Sequence, residues 1–391
     1  MNTYPQPRTL FGGLTIAEFL HDYWQKKPLL IRNAWPGFEA PVTPDELAGL
    51  ACDDDVHARL VLERNGERPW EVRNGPFAET MFATLPPTHW TLLVQNVERL
   101  VPEAADVLDH FRFIPDWRID DLMISYAPPQ GGIGAHLDEY DVFLLQGLGR
   151  RRWEISMAGY SMDDFTPGLD MNILKEFTPE QSWVLEPGDM LYLPPGIAHR
   201  GTAEDDCLTL SIGFRAPSRF DLLGNFTDDF LLSGQDRRLT DPNAAPVHHS
   251  SELSSQHLRH LRELLREAMT DDDKLDEWLG AELTRVTEPL PEPRDPIWDL
   301  AGFWQACDQR NVIYRNLDCR LLFHRDANGH GWLFANGTSL RLSPGAAAEI
   351  HLLTEAREVD LQTLREADNA EALFAVLLDL FNRGLFDFDG F

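Results

Sequence analysis

Two histidines and one aspartate have the residue types and the spacing of an iron-binding triad. His136 and Asp138 are separated by a single residue, and His199 follows later in the chain. Two imidazoles and one carboxylate form the facial triad that holds non-haem Fe(II) and leaves three coordination positions open for a co-substrate and oxygen. A lone His-x-Asp pair is common on protein surfaces, but the second histidine makes metal binding the better interpretation. We therefore expect His136, Asp138 and His199 to be metal ligands.

The sequence around each ligand indicates how it is positioned. Glycines at 131, 132 and 134 give the chain before His136 conformational freedom. If residues 136–145 form a strand, its period of two places His136, Asp138 and Tyr140 on one face. His199 follows a predicted turn, a short apolar strand and a Pro-Pro-Gly turn, so it is expected at the entry to the next strand.

The elements that must hold these residues are predicted to be mostly short strands. Between 117 and 214, short apolar runs alternate with glycine and proline turn signals, a pattern typical of a double-sheet barrel. Two helices are expected earlier, one after the N-cap Thr15 and one after Thr43, where residues 43–46 form a capping box with Pro44 at the first helical position. The expected strands are 121–126, 136–145, 150–156, 182–185, 190–193 and 207–214.

Three regions are predicted along the chain: 1–217, 218–285 and 286–391. The second is helical, because leucines at 258, 261, 264 and 265 recur at three- and four-residue steps. A proline-rich spacer at 289–296 opens the third. There, two Asn-Gly turns between apolar runs predict a small β-meander, and an apolar helix is expected at 370–381. Helices with a hairpin sheet suggest a winged-helix module.

Composition excludes several functional classes. Nothing in the 391 residues resembles a membrane span or a signal peptide, and the four scattered cysteines indicate neither a disulfide framework nor a zinc site. We therefore expect a cytoplasmic protein with no membrane partner. The net charge of −30 favours basic partners or reflects a solubilising, salt-adapted surface. Region 286–391 has seventeen acidic residues against nine arginines and no lysine, so no direct DNA binding is expected.

Several motifs together resemble the bacterial ribosomal oxygenases, in particular the ribosomal-protein arginine hydroxylases. The stretches that carry the resemblance are 115–126, 134–143, 146–153, 185–189, 194–199 and 211–217. It implies an α+β fold: a double-stranded β-helix (cupin or JmjC) catalytic domain over 1–217, a helical dimerisation segment over 218–285 and a winged-helix-like domain over 286–391. It also implies Fe(II), 2-oxoglutarate as co-substrate, and hydroxylation of an arginine β-carbon.

The resemblance assigns roles to further residues. Arg151 matches the base that binds the distal carboxylate of 2-oxoglutarate, which suits the planar fork of a guanidinium. Ser125 is a second donor to that carboxylate, although it could instead satisfy its own backbone. Arg150 and Arg152 alternate with Arg151 and are expected at the surface. The residues assigned to the substrate arginine are Asp121 and Ser211, which hold its guanidinium, and Met123 and Tyr140, which line its slot.

The resulting prediction is an Fe(II)- and 2-oxoglutarate-dependent dioxygenase that hydroxylates an arginine of a basic large-subunit ribosomal protein and forms a homodimer. Two alternatives remain open. Related ribosomal oxygenases hydroxylate histidine, which a pocket without an acidic guanidinium partner would favour. The other alternative is a non-catalytic cupin regulator with structural metal, although a structural site is normally closed by protein ligands.

Overall fold

The chain divides into two compact units, 1–216 and 217–391. The computed structural model describes residues 10–63, 70–169, 171–233, 236–240, 253–286, 291–326 and 328–390. None of the helices within these ranges is long and apolar enough to cross a membrane.

The first unit consists of two antiparallel sheets with four short helices. Its elements are α1 (Ile16–Asp22), β1 (Leu29–Ile31), α2 (Pro44–Leu50), β2 (Ala58–Leu62), β3 (Glu71–Asn74), α3 (Glu79–Phe82), β4 (Trp90–Val94), α4 (Pro102–Asp109), β5 (Ile119–Ala127), β6 (Asp141–Leu148), β7 (Arg151–Ser156), β8 (Gln181–Leu185), β9 (Met190–Leu193), β10 (Ala198–Ala203) and β11 (Cys207–Phe214). The larger sheet has the order β1-β9-β6-β11-β5-β4-β2-β3, and the smaller has the order β10-β7-β8.

A buried cluster joins the two sheets face to face. Val142 and Leu144 of β6 pack with Trp153 and Ile155 of β7 and with Leu185 of β8. The other face of the large sheet packs against the helices in a second apolar cluster that includes α1 and α2. The cupin-type double-stranded β-helix is confirmed, and its interior lies between the two sheets.

The two predicted N-terminal helices are confirmed, together with the side chains that start them. Thr15 accepts a hydrogen bond from the Glu18 backbone while the Glu18 carboxylate accepts one from Thr15, and Thr43 and Glu46 make the same reciprocal pair. Such capping boxes satisfy backbone donors that the first helical turn leaves free.

Most predicted strands agree with the structure to within two residues, but 136–145 is wrong as a single strand. β6 begins only at Asp141, and His136 makes isolated bridges to Ile173 and His199. The reason lies in the neighbouring strand: β9 ends at Leu193 opposite Val142, and Pro194 and Pro195 follow it without backbone donors. His136, Asp138 and Tyr140 therefore lie in the loop before β6 and not along one strand face.

The second unit begins with helices and ends with a helical fold around two small sheets. Its elements are α5 (Arg219–Leu232), α6 (Ser255–Glu267), α7 (Asp272–Thr284), α8 (Leu300–Cys307), β12 (Val312–Arg315), β13 (Leu321–Arg325), β14 (Gly331–Ala335), β15 (Thr338–Leu342), α9 (Pro344–Glu349), α10 (His351–Thr354), β16 (Glu358–Asp360), α11 (Leu361–Glu366), α12 (Ala370–Asn382) and β17 (Phe386–Asp387). The predicted meander is confirmed as β13-β14-β15. Asn336 and Gly337 form its second turn with positive φ angles of 46° and 80°. Part of the predicted proline-rich spacer, 289–290, lies outside the described residues.

Candidate active site

The three predicted metal ligands lie together in the first unit. One side-chain ligand atom from each of His136, Asp138 and His199 lies within 4.8 Å of the other two. Nε2 of His199 is 3.6 Å from a carboxylate oxygen of Asp138, and the two imidazole centroids are 4.2 Å apart. Among the described residues this is the one group of three such side chains that could hold a metal ion.

Backbone hydrogen bonds hold the ligands in place although two of them are in a loop. His136 and His199 exchange two N–H···O bonds of 3.0 and 2.9 Å, and Gly196 donates to the Asp138 carbonyl at 2.8 Å. Since β10 begins at Ala198, His199 is at the entry to a strand, as predicted. The loop is therefore fixed by the strand that carries the third ligand.

Both imidazoles are oriented for metal binding. Nδ1 of His136 lies 3.1 Å from the Gly134 carbonyl, and Nδ1 of His199 lies 2.9 Å from the Ile197 carbonyl. A carbonyl only accepts, so Nδ1 carries the proton in each ring and Nε2 presents its lone pair. Burial, followed by the nearby His136, lowers the pKa of His199 to about 4, which keeps this imidazole in the neutral form that binds metal.

A cavity of about 270 Å³ opens beside the triad, and Arg151 lies within its wall. Only 3 % of Arg151 is exposed, and burial lowers the pKa of its guanidinium. Among the residues that the structure describes, Arg151 forms no ion pair, and its Nε has no hydrogen-bond partner. A buried cation without a counter-charge is costly, so this position is suited to an anionic ligand.

Polar groups on the adjacent strands surround the Arg151 guanidinium. It donates to Ser125 Oγ at 3.3 Å, to Thr209 Oγ1 at 3.4 Å and to the Gly201 carbonyl at 3.4 Å. Thr209 in turn donates to Gln146 at 3.0 Å, so its oxygen is turned to accept from Arg151. Ser125 is thus beside the predicted anchor, with a further contact of 3.4 Å to the Thr209 carbonyl.

The two arginines that flank Arg151 have the expected outward orientation. Arg150 pairs with Asp205 at 2.9 Å, and Arg152 pairs with Glu204. Their side chains are about half exposed. The alternation along β7 therefore separates one buried arginine from two at the surface.

The four residues assigned to the substrate arginine line the same cavity. Asp121 and Met123 point inward from β5 together with Ser125, and Ser211 lies opposite Met123 on β11. Tyr140 is at the rim, 41 % exposed; burial of its hydroxyl and the neighbouring Asp138 raise the pKa of this phenol, which therefore remains a hydrogen-bond donor. The alternation of side chains along β5 places Asp121, Met123 and Ser125 on the face that lines the cavity, whereas Tyr140 reaches the cavity from the loop.

Several lining residues were not identified from the sequence. Thr209 could have been found, because it alternates with Ser211 on a predicted strand. Trp153 carried the same signal, because it alternates with Arg151 on β7. The others carried no usable signal, since their positions depend on long-range packing: Arg59 of β2, Gln95 after β4, and Met171, Asn172 and Ile173 of the β7–β8 connection.

The donor set fits Fe(II) with 2-oxoglutarate. Two imidazoles and one carboxylate are the side chains of the iron-binding facial triad, and all three line the cavity that would receive the co-substrate. The unpaired Arg151 guanidinium supplies a positive charge for a distal carboxylate.

Known proteins share this organisation. Residues 106–222 match the family described as JmjC domain, residues 265–387 match the ROXA-like winged helix, and residues 178–283 match the AraC-like ligand binding domain. The ribosomal protein uL16 3-hydroxylase of Escherichia coli is 35% identical over 96% of this chain and 98% of its own length. The chain belongs to the ribosomal oxygenase family.

Two further relatives support this assignment. A probable ribosomal oxygenase of Haemophilus influenzae is 37% identical over 95% of this chain and 90% of its own length. The structure of the Escherichia coli ribosomal oxygenase YcfD in complex with cobalt and 2-oxoglutarate has a TM-score of 0.83 and 33% identity, covering 96% of this chain and 99% of that one. All the site residues discussed above from Asp121 to Ser211 lie within the JmjC match.

Proposed function

We propose that this protein is an Fe(II)- and 2-oxoglutarate-dependent hydroxylase that modifies the β-carbon of an arginine in a large-subunit ribosomal protein. The observation that carries the proposal is the placement of the buried Arg151 guanidinium, which has no ion pair among the described residues, in the same cavity as a two-histidine, one-aspartate triad. The 35% identical relative from Escherichia coli, named a ribosomal protein uL16 3-hydroxylase, supports the class of substrate.

His136, Asp138 and His199 would hold the metal through one atom each, which leaves positions for a chelating 2-oxo acid and oxygen. When bound, iron and 2-oxoglutarate would supply the oxidation: 2-oxoglutarate would lose CO2 and take up one atom of O2 to become succinate, and the other atom would be inserted into the substrate C–H bond. The protein's part is to hold both reactants and to exclude water from a cavity with buried walls.

Arg151 and Ser125 are proposed to bind the distal carboxylate. The guanidinium offers parallel donors, and the Ser125 hydroxyl, 3.3 Å away, adds a third. Thr209 donates to Gln146 at 3.0 Å, so its oxygen faces the guanidinium and accepts from it at 3.4 Å. Binding an anion here removes the cost of the unpaired buried charge, so affinity for 2-oxoglutarate and the burial of Arg151 are linked.

The substrate arginine is proposed to enter past Tyr140 and to meet Asp121. An Asp121 carboxylate oxygen accepts from the Asn96 backbone at 3.4 Å, which orients the carboxylate in the wall. Ser211 adds a hydroxyl acceptor, and Met123 supplies an apolar surface for the substrate methylenes. The net charge of −30 favours the approach of a basic protein, with association that slows as salt increases.

The test is hydroxylation of synthetic peptides that carry the same sequence around a central arginine, histidine or lysine. We expect a mass gain of one oxygen on the arginine peptide, together with stoichiometric succinate. Asp121→Asn, which keeps the shape and removes the charge, should reduce this hydroxylation sharply, and Asp120→Asn is the matched control because Asp120 pairs with Arg215 at 2.9 Å. A preference of the wild-type protein for the histidine peptide would overturn the proposed substrate residue.

The assembly and the location of the protein belong to the same proposal. We propose a catalytic domain over 1–217, a dimerisation segment over 218–285 and a winged-helix-like domain over 286–391, acting as a cytoplasmic homodimer. Leu258, Leu261 and Leu265 of α6 support the dimer, because they are 41 %, 39 % and 75 % exposed and form one apolar stripe. The acidic 286–391 region supports a role in protein contact and not in DNA binding.

A further inference from the structure

Trp153 stands between the arginine that anchors the co-substrate and a metal ligand. It follows Arg151 by two residues on β7, so both side chains point into the cavity. The Arg151 guanidinium carbon is 5.1 Å from the centroid of the Trp153 ring, and the His199 ring centroid is 5.9 Å from it. Trp153 is 5 % exposed, which leaves the indole little room to move.

Packing, more than hydrogen bonding, determines the position of Arg151. Its three hydrogen bonds are 3.3 to 3.4 Å long, beyond the usual range for N–H···O bonds, and its Nε has no partner. The close neighbours are the Trp153 indole and Gly201. A Cβ atom on Gly201 would lie 2.7 Å from Arg151 Nε and 2.7 Å from Cη2 of Trp153. The guanidinium therefore packs between the Trp153 ring and the backbone of Gly201, which has no side chain.

We propose that Trp153 is a positioning residue that sets the distance between the co-substrate anchor and the metal, and thereby the chain length of the 2-oxo diacid that the enzyme accepts. This inference rests on the proposed function, because a 2-oxo diacid is held at both ends, by the metal and by Arg151. A molecule with both ends fixed must match the spacing between them. The indole lines the cavity beside both ends, so its size limits the room that is left for the chain between them.

The experiment compares the binding of 2-oxoglutarate with that of 2-oxoadipate, which is longer by one methylene. Dissociation constants are measured by calorimetry with Mn(II) in place of iron, so that the readout is independent of turnover. In the wild-type protein we expect 2-oxoglutarate to be preferred by about 10- to 200-fold, the usual discrimination for one methylene. Trp153→Phe removes part of the ring, so the vacated space accepts the extra methylene and the preference should fall by roughly tenfold or more.

Trp183→Phe is the matched control. Trp183 pairs with Trp153 across β7 and β8 but does not line the cavity, so its substitution should leave the preference unchanged. A Trp153→Phe protein that melts at the wild-type temperature and keeps the wild-type preference within twofold would overturn the inference. If the wild-type protein binds neither diacid, the proposed function fails instead, so the two failures are distinguishable.

Gly201→Ala provides a second test that does not alter the indole. The added methyl group must displace Arg151 or Trp153, so 2-oxoglutarate affinity should fall at least tenfold. Gly159→Ala is its control, because a Cβ atom there meets nothing within 4 Å. Wild-type affinity for 2-oxoglutarate in a folded Gly201→Ala protein would show that packing between Trp153 and Gly201 does not determine the position of Arg151. This result would also overturn the inference.

Discussion

Replacing Arg151 with methionine should change stability and co-substrate binding in opposite directions. Methionine keeps an unbranched chain against Trp153 but removes a buried charge that has no counter-charge among the described residues. An unsatisfied buried group costs about 1–3 kcal/mol, and more when it is charged. The protein without ligand should therefore be more stable by about 1–3 kcal/mol after the substitution.

Co-substrate affinity should fall at the same time. Truncating one partner of a desolvated, hydrogen-bonded charge pair costs about 2–5 kcal/mol, which corresponds to a dissociation constant for 2-oxoglutarate that rises roughly 30- to 4,000-fold. Two measurements are needed on the same protein: chemical denaturation without ligand, and calorimetric binding of 2-oxoglutarate with Mn(II). Arg152→Met is the control, because Arg152 is 47% exposed and paired with Glu204, and it should change neither quantity much.

Two results would refute this reasoning. Unchanged 2-oxoglutarate affinity in Arg151→Met would mean that another basic residue binds the distal carboxylate. Arg59 also lines the cavity. A loss of several kcal/mol of stability would mean that Arg151 is a structural cation satisfied by its neutral neighbours.

Three further outcomes are expected. His199→Ala should abolish succinate formation even with added iron, because two protein ligands are too few to retain the metal while 2-oxoglutarate and oxygen occupy the other coordination positions. Wild-type turnover by this variant would contradict the assignment of the three metal ligands. Asp121→Ala should reduce arginine-peptide hydroxylation sharply while 2-oxoglutarate turnover without peptide largely survives, and a native hydroxylation rate would remove Asp121 from the site. Light scattering at micromolar concentration should give twice the chain mass of 44.5 kDa, and Leu265→Glu should shift it toward the monomer; a wild-type monomer would exclude the dimer.

Local signals in the sequence were sufficient for much of the fold. The two capping boxes start α1 and α2 at the predicted residues, because reciprocal Thr–Glu bonds act within one helical turn. The strands 190–193 and 207–214 were predicted with the observed bounds; Gly188 and Pro194 limit the first, and Asp205, Asp206 and Pro217 flank the second. Strand alternation places Asp121, Met123 and Ser125 on one face, and the structure shows that this face lines the cavity.

The sequence by itself determined which residue types can bind iron, that Arg151 points to the opposite side from Arg150 and Arg152, and that Asp121, Met123 and Ser125 share one strand face. These properties depend on residue identity and on the short periods of backbone geometry. Only the tertiary structure decided how His136 and Asp138 meet His199, because a loop fixed by hydrogen bonds to β10 does this, and not the strand that the spacing suggested. It also decided that Arg151 is buried without a counter-charge among the described residues and packs against Trp153 and Gly201. Burial and close approach of this kind arise from segments far apart in the chain.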